Sequence, residues 1–456
     1  MRTPSKHTPC SGLNLLRFRP VVALVRWRGF PAVFQASLLV VYVALAVLGW
    51  GLYTPSGVNT KLYAKTNLVN LLIWGLWWPA IVWVTFWLGR VWCTVCPLEL
   101  VSSRAEKLGT TLGIAQRALS DTAARGSLVI LFFAALQMLV PGIQIHRVPH
   151  YTSVFLWCSL VLAVVVGLLY KNRAFCRGVC PVALLLSAYG RGGMIAVRPV
   201  SPSAGSANAI ACRSLLNPRR LDTSKDCLVC GDCLKADRSG EMQLLLRAPY
   251  ARADAREPVA SWPMTLFVMI VSGFVTYELS GVWKPAGDAF LWVPTQVKAG
   301  NAAGWVQGAW TIVVWPLAMW LLLGAVALLA GAGKSLTEVW RRLALPIAPV
   351  VAAGHMAKAM EKFSSWAGFL PHAWAEPAGV QTVFKMHTKQ MPQPAPWLAP
   401  ATLSTVCLIV LVVGTIFALR EALLTDPAAG RKRWLPILLL AGFYSFLVLG
   451  WSGWIK

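Results

Sequence analysis

Hydrophobic positions fall into nine long runs separated by polar stretches. The runs lie at about 31–51, 68–88, 127–145, 151–170, 262–283, 307–331, 343–360, 401–420 and 434–453. A helix needs about 20 apolar residues to cross the hydrocarbon of a bilayer, so each run is a candidate span. The seventh is the weakest. Its run LALPIAPVVAAG is short, and His355, Met356 and Lys358 follow it. A broken or re-entrant helix is expected there, with protein or water covering its polar part.

The polar stretches divide the chain. Residues 1–30 form a basic N-terminus with no small-residue cleavage site after it, so the first run is expected to stay as a helix rather than leave as a signal peptide. Residues 31–170 form a four-helix membrane block. Residues 171–261 form a long polar segment with a Ser/Ala/Gly connection at Ser201–Ala211. Residues 262–456 form a second block of about five helices. It includes the segment 361–400, whose prolines disfavour a long regular helix. Arg26 and Arg28, Arg341 and Arg342, and Arg431 to Arg433 each precede a span. Basic loops mark the cytoplasmic side, which puts the N-terminus inside and, with nine spans, the C-terminus outside.

Composition supports the same class. The 456 residues are 57% hydrophobic and 13% charged, and 23 are tryptophan. Mean hydropathy is +0.60. A soluble domain carries about 25% charge, so an ordinary soluble enzyme and a disordered chain are excluded. The formal charge of +25 could suggest nucleic acid. The basic groups sit in loops between apolar runs, however, and no nucleic-acid-binding motif is present, so no nucleic-acid partner is expected. Membrane lipid is the expected surrounding.

The cysteines carry the strongest local signal. Cys93 and Cys96 lie in RVWCTVCPLEL, Cys176 and Cys180 in NRAFCRGVCPVALLL, Cys212 in IACRSLL, and Cys227, Cys230 and Cys233 in KDCLVCGDCLKAD. All eight fall on the expected inside, where thiolate ligation is favoured over disulfides. Cys-x-x-Cys-x-x-Cys can aim three sulfurs at one iron–sulfur cube. Asp237 stands where a ferredoxin run would place its fourth cysteine, so the missing ligand must come from Cys96, Cys180 or Cys212. Eight thiolates would hold two [4Fe–4S] clusters. One scheme joins Cys93, Cys96, Cys176 and Cys180, leaving Cys212 with the triple motif. An interleaved scheme exchanges Cys180 and Cys212. Structural zinc is the alternative, since four thiolates suit it as well. Cys158 and Cys407 sit in apolar runs and are expected to be core or lipid-facing.

With these motifs, residues 68–245 resemble the polyferredoxin-type membrane iron–sulfur proteins. That group includes the membrane ferredoxin subunit of nitrate reductase systems, a nitrous oxide reductase maturation protein and a cytochrome oxidase assembly ferredoxin. Cys176 and Cys180 match the family's Cys-x3-Cys-Pro spacing, while Cys93 and Cys96 have one fewer intervening residue. The resemblance implies a cytoplasmic ferredoxin-like insertion in a bacterial inner-membrane protein. It also implies a quinone pool and a periplasmic redox enzyme or metalloenzyme as partners.

Arg90, Arg173 and Arg177 flank the ligand cysteines and could stabilise an anionic cluster, or simply anchor the inside face. Glu99, Arg104 and Glu106 are expected to hydrogen-bond within a helix after Cys96. In GHMAKAMEKF, His355, Lys358 and Lys362 recur on one helical stripe. They could meet a quinone headgroup, a haem b or an anionic partner, or form a snorkelling helix end. His146 and His150 flank an outer loop; His372 and His387 could contact a periplasmic protein. No residue presents itself as a substrate base or nucleophile. The sequence therefore reads as an all-α polytopic protein and an electron-transfer component rather than an autonomous enzyme. A metal-reducing assembly factor and a structural subunit or transporter with zinc-stapled loops are the alternatives.

Overall fold

The computed structural model describes residues 11–124, 126–200, 212, 214–237 and 240–453. Cys10, the Ser201–Ala211 connection and Lys456 lie outside them. All nine apolar runs are helical. Seven are long and apolar enough to cross a membrane: α2 (Leu68–Leu88), α4 (Pro149–Leu169), α5 (Trp262–Ser280), α6 (Gly300–Leu329), α7 (Leu336–Ala375), α8 (Pro400–Thr425) and α9 (Gly430–Gly450). Two are shorter, α1 (Ala32–Leu48) and α3 (Ser127–Gly142). At 17 and 16 residues they reach only about 25 Å at 1.5 Å per residue. The chain is thus an all-α protein with several long apolar helices, as a multi-pass membrane protein has.

The seventh run is not broken. Residues Leu336–Trp366 form one continuous α-helix through Pro346 and Pro349, and a 3₁₀ turn joins it to a short helix at Leu370–Ala375. The Ser335 side chain accepts a hydrogen bond from the Glu338 N–H and caps its start. Proline inside a helix removes a backbone hydrogen bond, but 89% of the helix's most apolar window is buried in protein. Packing on every side offsets that loss.

Contacts divide the chain into two units, each built from separate stretches of sequence. The first comprises Met1–Val41, Val84–Val129 and Leu160–Glu257; the second Tyr42–Trp83, Ile130–Ser159 and Pro258–Lys456.

In the first unit, part of the segment expected to be a ferredoxin-like insertion forms a small antiparallel sheet. Strand β2 (Ile195–Pro199) pairs with β3 (Met242–Leu246), and β3 with β1 (Leu13–Asn14), in the order β1-β3-β2. Val197, Met242 and Leu244 join Val25, Leu221 and Leu234 in an apolar core. Beside it, Arg198 and Arg247 both donate to the Asp254 carboxylate, at 2.7 Å from Arg198 and 2.6 Å from Arg247 Nη2. Ser224 accepts from both guanidinium groups. The Arg247 side chain is fully buried, and the carboxylate offsets the cost of holding its permanent charge out of water.

In the second unit, α7 packs against α5, α6, α8 and α9. Small residues let the backbones approach, as is usual between membrane helices. A Cβ on Gly354 would sit 2.8 Å from the Tyr444 ring and 2.9 Å from Val275, and one on Gly414 would sit 2.8 Å from the Pro349 carbonyl. Buried polar groups are paired across helices. The Tyr444 hydroxyl donates to the Ser272 carbonyl at 2.9 Å. The indoles of Trp320 and Trp83 donate to Ser272 Oγ at 3.0 Å and the Met356 carbonyl at 3.1 Å. Gly354→Leu overpacks this contact and is expected to cost about 1–3 kcal/mol. Thermal unfolding in detergent should show a lowered midpoint, while Gly442→Leu, at an exposed position with nothing within 4 Å, leaves it in place.

Candidate functional site

The second unit holds a small cavity of about 40 Å³, lined more by apolar than by polar surface. The lower half of α2 positions one wall. Residues Leu71–Trp77 of that helix are wound as a π-helix, a local widening often found at functional sites. The Trp74 indole donates to Thr152 Oγ1 at 3.0 Å. That hydroxyl also lies 2.7 Å from the Ile145 carbonyl and 2.9 Å from Asn70 Oδ1. The contact fixes the turn before α4 and so places His146 at the cavity.

From α7 come His355, Lys358 and Lys362, the three residues the sequence pattern put on one stripe; all three line the same space. His355 is held between aromatic rings, Trp78 at 5.9 Å and Phe274 at 5.6 Å between centroids. Lys358 Nζ lies 2.8 Å from Glu361 and 3.9 Å from Glu278. Lys362 rests over the Trp366 ring at 5.2 Å. Gln137 of α3 completes the lining. Its Oε1 and the Nδ1 of His146 are buried and meet no hydrogen-bond partner among the described residues. Burial, reinforced by Arg147 and Lys362, holds the His146 imidazole well below its ordinary pKa, so it is neutral.

The sequence singled out α7's stripe but not Glu278, Gln137, Trp74 or Trp78. Glu278 was detectable in principle, as an acid inside an apolar run is a functional signal by default. Gln137 and the tryptophans carry no such mark. The other histidines stand apart: His150 accepts from the Gly51 N–H at 3.0 Å, and His372 and His387 lie in short helices of the 361–400 segment.

The cysteines lie in the first unit, apart from Cys158 and Cys407. The ten described cysteines are all free; Cys158 is exposed and Cys407 buried. Cys93, Cys96, Cys176 and Cys180 influence one another electrically, as do Cys212, Cys227, Cys230 and Cys233. Burial first pushes the pKa of Cys96 and Cys176 up, followed by neighbouring thiols at Cys96 and by Glu99 and then neighbouring thiols at Cys176. Cys180 and Cys230 are each raised to about 11 and Cys233 to about 12, again with burial as the largest cause.

Among the described residues no group of three or more His, Cys, Asp or Glu side chains is placed to hold a metal ion. The expectation of two [4Fe–4S] clusters on Cys93, Cys96, Cys176, Cys180, Cys212, Cys227, Cys230 and Cys233 is therefore corrected, and a zinc staple fails on the same ground. The cofactor set and the electron-transfer function built on the clusters fall with them, as do the metal-reducing assembly factor and the zinc-stapled subunit. Spacing brought the residue types into neighbouring turns, but among the described residues it made no group placed to hold a metal ion.

What the structure builds around these segments is an ion network. Glu99, three residues after Cys96, pairs with Arg173 at 3.0 Å and accepts from Gln35 Nε2 at 2.6 Å. Arg173 also faces Asp232 at 3.8 Å. Glu106 accepts from the N–H groups of Asn172 and Arg173 at 2.8 and 3.1 Å. These bonds are long-range, not local to the helix Pro97–Thr111 as expected. Arg90 donates to Ser187 Oγ at 3.1 Å and is buried. Arg177 is half-buried one turn beyond Arg173.

Comparison with family models, curated proteins and solved structures finds no match for this chain. The resemblance to membrane polyferredoxins rests on the cysteine motifs alone.

Two outcomes follow for the first unit. Glu99→Gln removes the closer of the two carboxylates facing the buried Arg173, leaving Asp232 at 3.8 Å, and is expected to destabilise the protein by about 3 kcal/mol, the low end of the usual loss when one partner of a buried pair is removed; chemical unfolding followed by circular dichroism measures it. The folded chain holds the Cys180 proton more tightly than the unfolded chain does, since its pKa rises from 9.0 to about 11. That contribution is complete below pH 9 and is lost as pH rises through about 11. Wild-type melting temperature should fall faster across this window than that of Cys180→Ser.

Proposed function

We propose that the chain is a multi-pass protein of a bacterial cytoplasmic membrane that takes the headgroup of a lipid-soluble molecule into the His146–His355 cavity. A planar headgroup bearing hydroxyl donors, as in the reduced, quinol form of the quinone class, has the matching chemistry, because Gln137 Oε1 can only accept. The observation that carries this reading is the pair of unpartnered polar atoms, Gln137 Oε1 and His146 Nδ1, buried in the same cavity as His355. An unsatisfied polar group costs several kcal/mol where water is excluded, so a ligand that bonds both gains from the site as built.

The walls select the kind of ligand. Trp74, Trp78 and Phe274 offer aromatic faces for a flat ring. Lys358 and Lys362 are balanced by Glu278 and Glu361 nearby, which favours a neutral headgroup over an anion. The cavity lies among helices α2, α3, α5 and α7, so a molecule dissolved in lipid can reach it by lateral diffusion. Such a protein is a binding component rather than an autonomous catalyst.

The membrane arrangement belongs to the same proposal. All nine helices cross, with α1 and α3 accommodated by local thinning of the bilayer. The basic loops place the N-terminus in the cytoplasm and residues 361–400 in the periplasm. His372 and His387 would then face a periplasmic partner.

The test uses the protein in lipid nanodiscs and a short-chain quinol kept reduced, with quenching of tryptophan fluorescence as the signal. Saturable quenching is expected, with affinity lowered about tenfold in His355→Ala and in Gln137→Leu, a change of about 1.4 kcal/mol each. Equal affinity in wild type and both variants would sink the proposal.

A further inference from the structure

The N-terminal segment carries a surface that the cavity does not involve. The helix Arg19–Arg26 is amphipathic. Val25 is buried in the apolar core of the first unit, beside Leu221 and Leu234. The opposite side is open: Phe18 and Trp27 are each 47% exposed and Leu24 is 42% exposed. Arg17, Arg19, Arg26 and Arg28 are exposed among them. None of the four forms an ion pair among the described residues, and the first acidic residue in the chain is Glu99.

Chain continuity fixes where this surface lies. Trp27 precedes the start of α1 at Ala32 by five residues, at most about 17 Å of extended chain. Its ring stands edge-on to Phe34 in the first turn of α1, 6.4 Å between centroids. Phe34 is itself 43% exposed. Half-exposed aromatics at the end of an apolar helix mark the level of lipid headgroups, so the arginines stand at that level too. The segment is also tied to the cysteine-bearing turn. A Cβ on Gly231 would lie 3.5 Å from Val25 and Phe30, and Lys235 donates to the Phe30 carbonyl.

We infer that residues 17–30 form a binding surface for anionic phospholipid headgroups, and that lipid held there braces the turn Cys230–Cys233 against which the segment packs. The phosphates are recognised by four guanidinium groups, which suit bidentate contact with phosphate oxygens, while Phe18, Leu24 and Trp27 enter the acyl boundary. An uncharged bilayer would satisfy the apolar half of this surface only.

The full chain is reconstituted in nanodiscs of phosphatidylcholine mixed with phosphatidylglycerol, and retained lipid is identified by native mass spectrometry. Wild type is expected to keep phosphatidylglycerol preferentially. A variant carrying R17Q, R19Q, R26Q and R28Q should lose about tenfold or more of that preference, since each basic group at an anionic surface contributes a factor of about five. Thiol labelling of Cys230 and Cys233 should run faster in pure phosphatidylcholine than in the mixture for wild type, and equally in both for the variant. Preference retained by the variant overturns the proposal. So does its abolition in wild type by inorganic phosphate at constant ionic strength, which would indicate a soluble-anion site. If the variant does not fold, wild-type selectivity is measured against salt; loss with rising salt supports the surface and indifference to salt overturns it.

Discussion

The most apolar stretch of helix α7 is 89% buried in the second unit, so the polar groups it carries there must find partners within the protein. Much of that unit's arrangement follows from this constraint. Lys358 reaches Glu361 one turn away and Glu278 on α5. The Met356 carbonyl receives the Trp83 indole, and the Ala357 carbonyl lies 3.6 Å from the Cys407 sulfur. Close approach at Gly354 and Gly414 brings these partners within reach. A helix with a lipid-facing side could leave a lysine to snorkel; α7 cannot, and its charges are committed to internal pairs.

The first unit meets the same problem with different residues. Arg173, Arg198 and Arg247 are all buried, and each is held by a carboxylate: Glu99 and Asp254 reach Arg173 and Arg198 from distant stretches of chain, and Asp254 also holds Arg247, seven residues before it. A chain with 42 basic and 17 acidic residues has few carboxylates to spare. Two of them in this unit, Glu99 and Asp254, are placed against buried guanidinium groups, while the arginines of the N-terminal helix are left facing outward. Buried pairs contribute little net stability beyond hydrophobic isosteres, but losing one partner is severe, so the acids constrain the fold more than their number suggests.

The membrane helices were legible because a continuous apolar run specifies its own structure in lipid. Run 68–88 became Leu68–Leu88 without correction. The error at the seventh run has a physical cause. His355, Lys358 and Lys362 resemble a helix end when read alone, yet they are interior residues whose partners come from α5 and from the turn holding His146. The three-stranded sheet was illegible for a related reason: β1 is two residues long, and only Leu245 and Leu246 make it a strand. The cysteine motifs were visible as residue types at suggestive spacing. Spacing reports which side chains share a turn, whereas ligation depends on where sulfurs from four separate turns end.

The pairing of β1 with β3 also bears on how the protein is made. Leu13 and Leu246 are partners, so the chain's opening residues wait for a strand that emerges from the ribosome some 230 residues later, roughly 10–50 s at ordinary rates of synthesis. Four apolar helices are made during that interval, and Asp254, the counterion of two buried arginines, comes later still. The first unit therefore closes after the early helices are made, and its β1 segment is held open until then. A bulky fusion at the N-terminus would be felt at this late closing step, leaving the early helices themselves intact.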